Sequence, residues 1–207
     1  MSLPQSLQAR EKSESMRNLH LEVQSCRRCG LWEGRRNPVL GEGSLDAKAF
    51  LVGEAPGRRE DETGRPFAGA AGQLLNDLLG GIGLSRGDVY IGNVVKCRPP
   101  RNRPPRAEEV EACSPYLERQ LSILKPRIIV SMGNTATQYL MTRFGLSPRY
   151  IGEVHGKSFR VEAPWGEVLL LPSYHPASAL YTKGLEYVLR RDFESLRSIL
   201  DGLEASL

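Results

Sequence analysis

Four cysteines, Cys26, Cys29, Cys97 and Cys113, carry the most distinctive spacing in this 207-residue chain, C-x2-C-x67-C-x15-C. Nothing in the sequence argues for export, so a pair of disulfides is disfavoured. A zinc ribbon would carry a second C-x2-C, which is missing. Four thiolates suit either zinc or an iron–sulfur cluster, and spacing alone does not choose between them. Unligated structural cysteines are the weaker reading, because two of the four lie so close together.

Other residues offer different chemistry. His175, one of three histidines, follows the apolar run "VLLLPSY" (168–174). A lone histidine is commonly structural, yet at a strand end it adds a donor where charge on a leaving group could be stabilised. Asn93 interrupts the apolar "VYIGNVVK" (89–96), and its amide offers a donor and an acceptor together, the complement of a nucleobase edge. "GEAPG" (53–57) is bounded by glycines that let the backbone approach a ligand, but it lacks the GK[ST] ending of a phosphate-binding loop. Phe67, in "EDETGRPFAG" (60–69), is either core packing or a stacking surface for a flat ring. Arg98, Arg101, Arg103 and Arg106 punctuate "KCRPPRNRPPR", which is either a solvated loop or one that contacts phosphates.

These residues need elements to hold them. Residues 3–24, with Leu7, Met16, Leu19 and Val23 among charges, predict an amphipathic helix leading into Cys26. "AFLVG" (49–53), 89–96, "RIIVSMG" (127–133) and 168–174 predict buried strands. "GAAGQLLNDLLGGIG", "RAEEVEACSPYLERQLSILK" and "NTATQYLMTRF" predict helices, the second with a kink or boundary at Pro115. "SFRVEAPWGEVLLLPSY" reads as two strands about a turn at 164–166, and 184–203 closes the chain as an amphipathic helix. Strands alternating with helices predict an α/β fold, a mainly parallel sheet with helices on both faces. Such sheets bind ligands at the carboxyl ends of their strands. "GEAPG", Asn93 with the arginine loop, and His175 all fall at those ends and should meet in one crevice.

The totals bound the class. A 40% hydrophobic content can fill a core, and the length predicts a single domain, 1–207, with a helical N-terminal appendage over 1–25. The net charge of +4 permits an anionic partner without demanding one. No run approaches the roughly 20 apolar residues of a membrane span, and the first residues lack a signal-peptide core, so a cytoplasmic protein is expected.

Taken together, "GEAPG…ED.TGRPFAG.AGQLL", "IGNVVKCRPPRNRPP", "HPASAL" and the four cysteines resemble the family 4 uracil-DNA glycosylases over roughly residues 20–195. The resemblance implies a three-layer α/β/α fold with a [4Fe–4S] cluster on Cys26, Cys29, Cys97 and Cys113, structural rather than redox-active. It implies removal of uracil from single- or double-stranded DNA in base excision repair, leaving an abasic site, by a monomeric enzyme without a membrane partner. Flipping the base out of a duplex costs energy that a single strand avoids. By the family pattern Phe67 stacks on uracil, Asn93 reads its Watson–Crick edge, and Gly53, Glu54 and Ala55 line the pocket. His175 donates to the departing anion near O2. Leu180 is the candidate wedge at the minor groove. From the cationic loop itself, Arg98, Arg101 and Arg103 are expected to contact DNA, and the neighbours of Lys96 suggest phosphate contact rather than Schiff-base chemistry.

One position departs from the wider superfamily, in which Asp or Asn stands where this chain has Ala55. The residue that orients water is therefore open among Glu54, Glu60 and Asn102, and Glu60 could instead exclude thymine's methyl group. A covalently trapping relative is disfavoured, because "KCRPPRNRPPRAEE" carries neither an insertion nor a histidine. The remaining alternative is a non-catalytic nucleic-acid-binding module stapled by zinc.

Overall fold

The structure, a computed structural model, describes residues 5–205. In chain order its elements are α1 (Gln5–Ser25), β1 (Glu42–Gly43), β2 (Ala49–Gly53), α2 (Arg58–Thr63), α3 (Ala70–Gly81), β3 (Tyr90–Asn93), α4 (Ala107–Leu124) and β4 (Ile128–Met132). There follow α5 (Asn134–Arg143), α6 (Ile151–Val154), β5 (Phe159–Ala163), β6 (Gly166–Ser173), α7 (Pro176–Ala179) and α8 (Leu185–Ala205). The strands form one six-stranded sheet in the order β1-β3-β2-β4-β6-β5. Its inner strands β3, β2, β4 and β6 run parallel, and the edges β1 and β5 pair antiparallel.

Side-chain alternation along the inner strands builds two cores. Phe50 and Val52 of β2, Ile129 of β4 and Leu170 of β6 face one layer, packed with residues of α1, α4 and α5. Ala49, Leu51, Ile128, Val130 and Leu171 face the other, with α3 and α8. The inner strands are apolar on both faces because both are covered, as a parallel sheet requires. This is the three-layer α/β/α arrangement that the alternating pattern predicts. The chain passes from β2 to β3 by way of α3 and returns past β2 to β4 by way of α4 on the opposite face. Such a reversal opens a crevice at the carboxyl ends of the strands.

Four local expectations change. Helix α1 buries Met16, Leu19 and Val23 in the core against α4, so it packs as part of the body; Leu7 is exposed instead. Residues 3 and 4 of that predicted helix lie outside the described residues. Pro115 neither ends nor splits α4. The Glu111 carbonyl, which a proline nitrogen cannot serve, accepts a hydrogen bond from the Ser114 hydroxyl at 3.3 Å. Strand β3 stops at Asn93, three residues short of the predicted run, which puts Asn93 at the strand end that the crevice argument requires. The 89–96 run looked longer because Val94 and Val95 remain hydrogen-bonded to the Gly53 and Glu54 carbonyls, at 2.9 and 3.0 Å.

Candidate active site

A cleft of about 440 Å³ opens at the carboxyl ends of the parallel strands. Glu54 and Ala55 follow β2, Asn93 ends β3, Met132 ends β4 with Gly133 just after it, and His175 follows β6. Glu60 and Phe67 enter from the loops around α2, and Asn102 and Arg103 from the proline-rich segment. Four segments far apart in sequence thus meet as the strand-end rule requires. Gly53 lies just behind the wall. A Cβ there would stand 2.9 Å from Phe67 Cζ and closer still to Asn93 Oδ1, so the absence of a side chain leaves room for both.

The Phe67 and His175 rings lie 5.3 Å apart and only 21° from parallel. The Nδ1 atom of His175 accepts the Ala177 backbone N–H at 3.1 Å, an N-cap of α7. The neutral ring therefore carries its proton on Nε2, free to donate into the cleft. Burial pulls the His175 pKa down to about 4, against a smaller opposite effect of the Glu60 carboxylate. Gly133 makes room for this ring: its φ is +87°, and a Cβ would crowd the His175 Cβ at 3.2 Å.

The two glutamates are placed differently. Glu60 Oε1 accepts the Ala68 and Gly69 backbone N–H groups at 2.7 and 3.0 Å, so it clamps the Phe67 loop. Glu54 accepts the Thr135 hydroxyl and faces the cleft from the end of β2. Asn102 Oδ1 is occupied by Arg98 Nε at 2.7 Å.

Two basic residues change reading. Lys96 is only 1% exposed, and its Nζ donates to the Asn93 carbonyl at 2.6 Å and to Gln120 Oε1 at 2.5 Å. It is an internal tie and cannot reach a phosphate. Arg103 is committed to Glu109 through two bonds of 2.7 and 2.6 Å, which fasten the loop to the start of α4. Arg101 and Arg106 are exposed and Arg98 is half-buried; Arg98, Arg101 and Leu180 do not line the cleft. Leu180 is 44% exposed, whereas its neighbour Tyr181 is 89% exposed.

All four thiols line one small cavity with Val23, Trp32, Arg35 and Tyr116. Arg35 Nη1 donates to Cys97 Sγ at 3.1 Å, and the Lys96 backbone N–H donates to Cys113 Sγ at 3.2 Å. Burial raises the pKa of Cys97 and pushes that of Cys113 up to about 12. Among the described residues no three His, Cys, Asp or Glu side chains stand close enough to hold one metal ion.

Sequence reasoning passed over Gly133, Asn134 and Ser178, all of which line the cleft. The first two follow β4, so the rule that marked the other strand ends applies equally to "SMGN".

This fold and cleft define a doubly covered α/β protein with its site at the strand ends, and comparison with known proteins gives the family. The family model described as the uracil DNA glycosylase superfamily matches residues 40–200. Proteins named type-4 uracil-DNA glycosylase are similar over most of the chain. That of Sulfurisphaera tokodaii is 46% identical, covering 90% of this chain and 85% of its own length. That of Archaeoglobus fulgidus is 47% identical, covering 88% and 92%. That of Saccharolobus solfataricus is 44% identical, covering 93% and 91%. The chain belongs to the uracil DNA glycosylase superfamily and, within it, to the type-4 uracil-DNA glycosylases.

Among the described residues no helix is long and apolar enough to cross a membrane.

Proposed function

We propose that this chain excises uracil from DNA by hydrolysing the N-glycosidic bond, and that it leaves an abasic site for base excision repair. The observation that carries this reading is the near-parallel pair of Phe67 and His175, 21° apart. A flat base laid on Phe67 is then nearly parallel to the imidazole, so the Nε2–H bond runs almost parallel to the plane of the base, the orientation that favours a hydrogen bond to one of its carbonyls. Asn93 faces the same space with one donor and one acceptor. As the bond from C1′ to N1 breaks, its electron pair leaves with uracil, and charge grows on O2, where His175 donates. Water adds to C1′ as hydroxide and its proton ends on the departed uracil anion, so the products are the abasic sugar and neutral uracil. Glu54 is the carboxylate best placed to orient that water, since one Glu60 oxygen is already held by two backbone N–H groups. Among the described residues no lysine lines the cleft, which favours a monofunctional enzyme over Schiff-base chemistry.

The four thiols would hold a [4Fe–4S] cluster. In such a cluster each thiolate binds its own iron, and this suits four sulfurs that line one cavity without closing on a single ion. Bound there, the group supplies a cross-link joining α1, the arginine loop and α4. The Arg35 and Lys96 donors would lower the cost of burying thiolate charge. Arg98 and Arg101 remain the candidates for the DNA backbone, and Leu180, which follows α7, remains the candidate wedge. The sequence reading makes the enzyme a cytoplasmic monomer.

Incubation with single-stranded uracil- and thymine-containing oligonucleotides, then alkali cleavage, tests the activity. Scission at uracil alone is expected. No scission, together with zinc in place of iron, would instead support the binding module. A borohydride-trapped protein–DNA adduct would overturn the monofunctional reading.

A further inference from the structure

The backbone of Phe67 is strained: its φ is +50°, a region that bulky L-residues rarely enter. Such strain persists only where surrounding contacts over-determine it, and it clusters at functional sites. Gly72 on α3 allows the loop to close, since a Cβ there would collide with the Phe67 carbonyl. Glu60 holds the downstream side through the Ala68 and Gly69 amides. The upstream side is held by a residue outside every recognisable motif. Arg86 donates from Nη2 to the Pro66 carbonyl at 2.7 Å and from Nη1 to the Phe67 carbonyl at 3.4 Å.

We propose that Arg86 is a positioning residue for the base-stacking ring of Phe67, and that Glu42 holds Arg86 to this role. The proposal rests on the reading that Phe67 stacks on uracil. Arg86 Nε donates to Glu42 Oε1 at 2.8 Å, and Arg65 braces the same carboxylate from outside through both oxygens, at 2.9 and 3.1 Å. Glu42 lies on β1, which pairs with β3 in the register Glu42 to Ile91. Asn93 is on that same β3, two residues beyond Ile91. The stacking ring and the edge-reading amide are thus referenced to one strand, Asn93 directly and Phe67 through β1, Glu42 and Arg86. Apolar packing alone does not hold the loop, because a polar cleft of about 280 Å³ lies behind it, lined by Arg65, Gln73, Asn76 and Arg86. The role calls for arginine, since a guanidinium spans two carbonyls and a carboxylate in fixed directions and an ammonium does not.

The test uses Arg86→Met, Arg86→Lys, Glu42→Gln and Phe67→Ala, with Arg86→Met also placed in the Phe67→Ala background. Single-turnover rates are read against the concentration of a uracil-containing strand. Arg86→Met should raise the half-saturating concentration about tenfold, the factor set by losing hydrogen bonds to a charged group, and leave the limiting rate nearly unchanged. Arg86→Lys should behave like the methionine variant, with an unchanged salt slope, and Glu42→Gln should give a smaller effect of the same kind. In the Phe67→Ala background the Arg86 substitution should add nothing. Rescue by lysine, an equal effect in that background, or no effect at all would overturn the proposal. If Arg86→Met does not fold, Glu42→Gln in the same two backgrounds decides it. A silent Phe67→Ala would sink the stacking reading and this proposal with it; a crippled Phe67→Ala with an additive or silent Arg86→Met sinks this proposal alone.

Discussion

Lowering the pH from 8 to 5 should leave the ring of His175 neutral, although a free histidine would be almost fully charged at the lower value. Burial brings its pKa down to about 4 from 6.5, with Glu60 acting weakly in the opposite sense. At pH 5 about 10% of folded molecules would carry the extra proton, against about 97% for an unperturbed imidazole. That proton would have to sit on Nδ1, where it would face the Ala177 N–H and break the cap of α7. The Nε2 donor geometry therefore persists to about pH 5, and His175 should cause no loss of single-turnover rate between pH 8 and that point. Stability follows the same linkage. Between 6.5 and about 4 the unfolded ring binds a proton that the folded ring refuses, so stability falls as pH drops through this window. The loss attributable to His175 reaches about 2 kcal/mol near pH 5 and should vanish in His175→Gln. Nitrogen-detected NMR of the ring, with rates on a single-stranded uracil oligonucleotide across the same range, measures both. A titration midpoint at 6.5 or above, or a neutral tautomer protonated on Nδ1, would refute the reasoning.

Further outcomes follow from the same geometry. Asn93→Asp should cut uracil excision by roughly 10²-fold or more, because a carboxylate cannot donate to O4 and its charge would be buried; near-parental single-turnover rates would contradict the edge-reading role. Cys97→Ala should lower both iron content and soluble yield, since a ligand that closes the thiol site supports folding as well as binding, and full iron stoichiometry would remove Cys97 from the ligand set. Arg98→Gln with Arg101→Gln should weaken DNA binding uniformly across sequences and reduce the salt slope by about 2. Arg103→Gln should instead act chiefly on stability, through loss of the Glu109 pair, and thermal melts beside salt titrations separate the two cases.

Much of the site was legible before the fold because parallel sheets impose a strong rule. Buried strands read as apolar runs, and whatever polar residue ends such a run lies on the binding edge. That logic brought "GEAPG", Asn93 and His175 together. It passed over Gly133 and Asn134 at the end of β4 only because neither residue type suggested chemistry. The cysteines were legible by type, and their convergence on one cavity joins segments of chain up to 87 residues apart, Cys26 to Cys113.

Side-chain commitments were not legible. Lys96 and Arg103 sit in a strongly cationic stretch, so composition assigned both to phosphate, and packing assigned them elsewhere. Lys96 turns inward three residues beyond the end of β3, where its Nζ reaches the Asn93 carbonyl and Gln120 on α4. Arg103 folds back because Glu109 begins a helix at its side. Leu7 and Pro115 show the same limit: periodicity states which residues are apolar but not where a neighbouring helix ends, and proline states a missing donor but not that Ser114 will serve the stranded carbonyl.

By itself the amino-acid sequence determined the layer architecture, the strand ends that carry chemistry, the four thiols and the family. These depend on local periodicity and on residue type, which a linear reading retains. Only the tertiary structure decided that His175 stays neutral with its proton on Nε2, that Glu60 clamps a loop while Glu54 faces the cleft, and that Arg86 reaches the carbonyls of a strained Phe67. Each of these depends on burial or on a hydrogen bond between distant segments. Such contacts are fixed by three-dimensional packing, where the same residue type serves as ligand, clamp or solvated charge according to its neighbours.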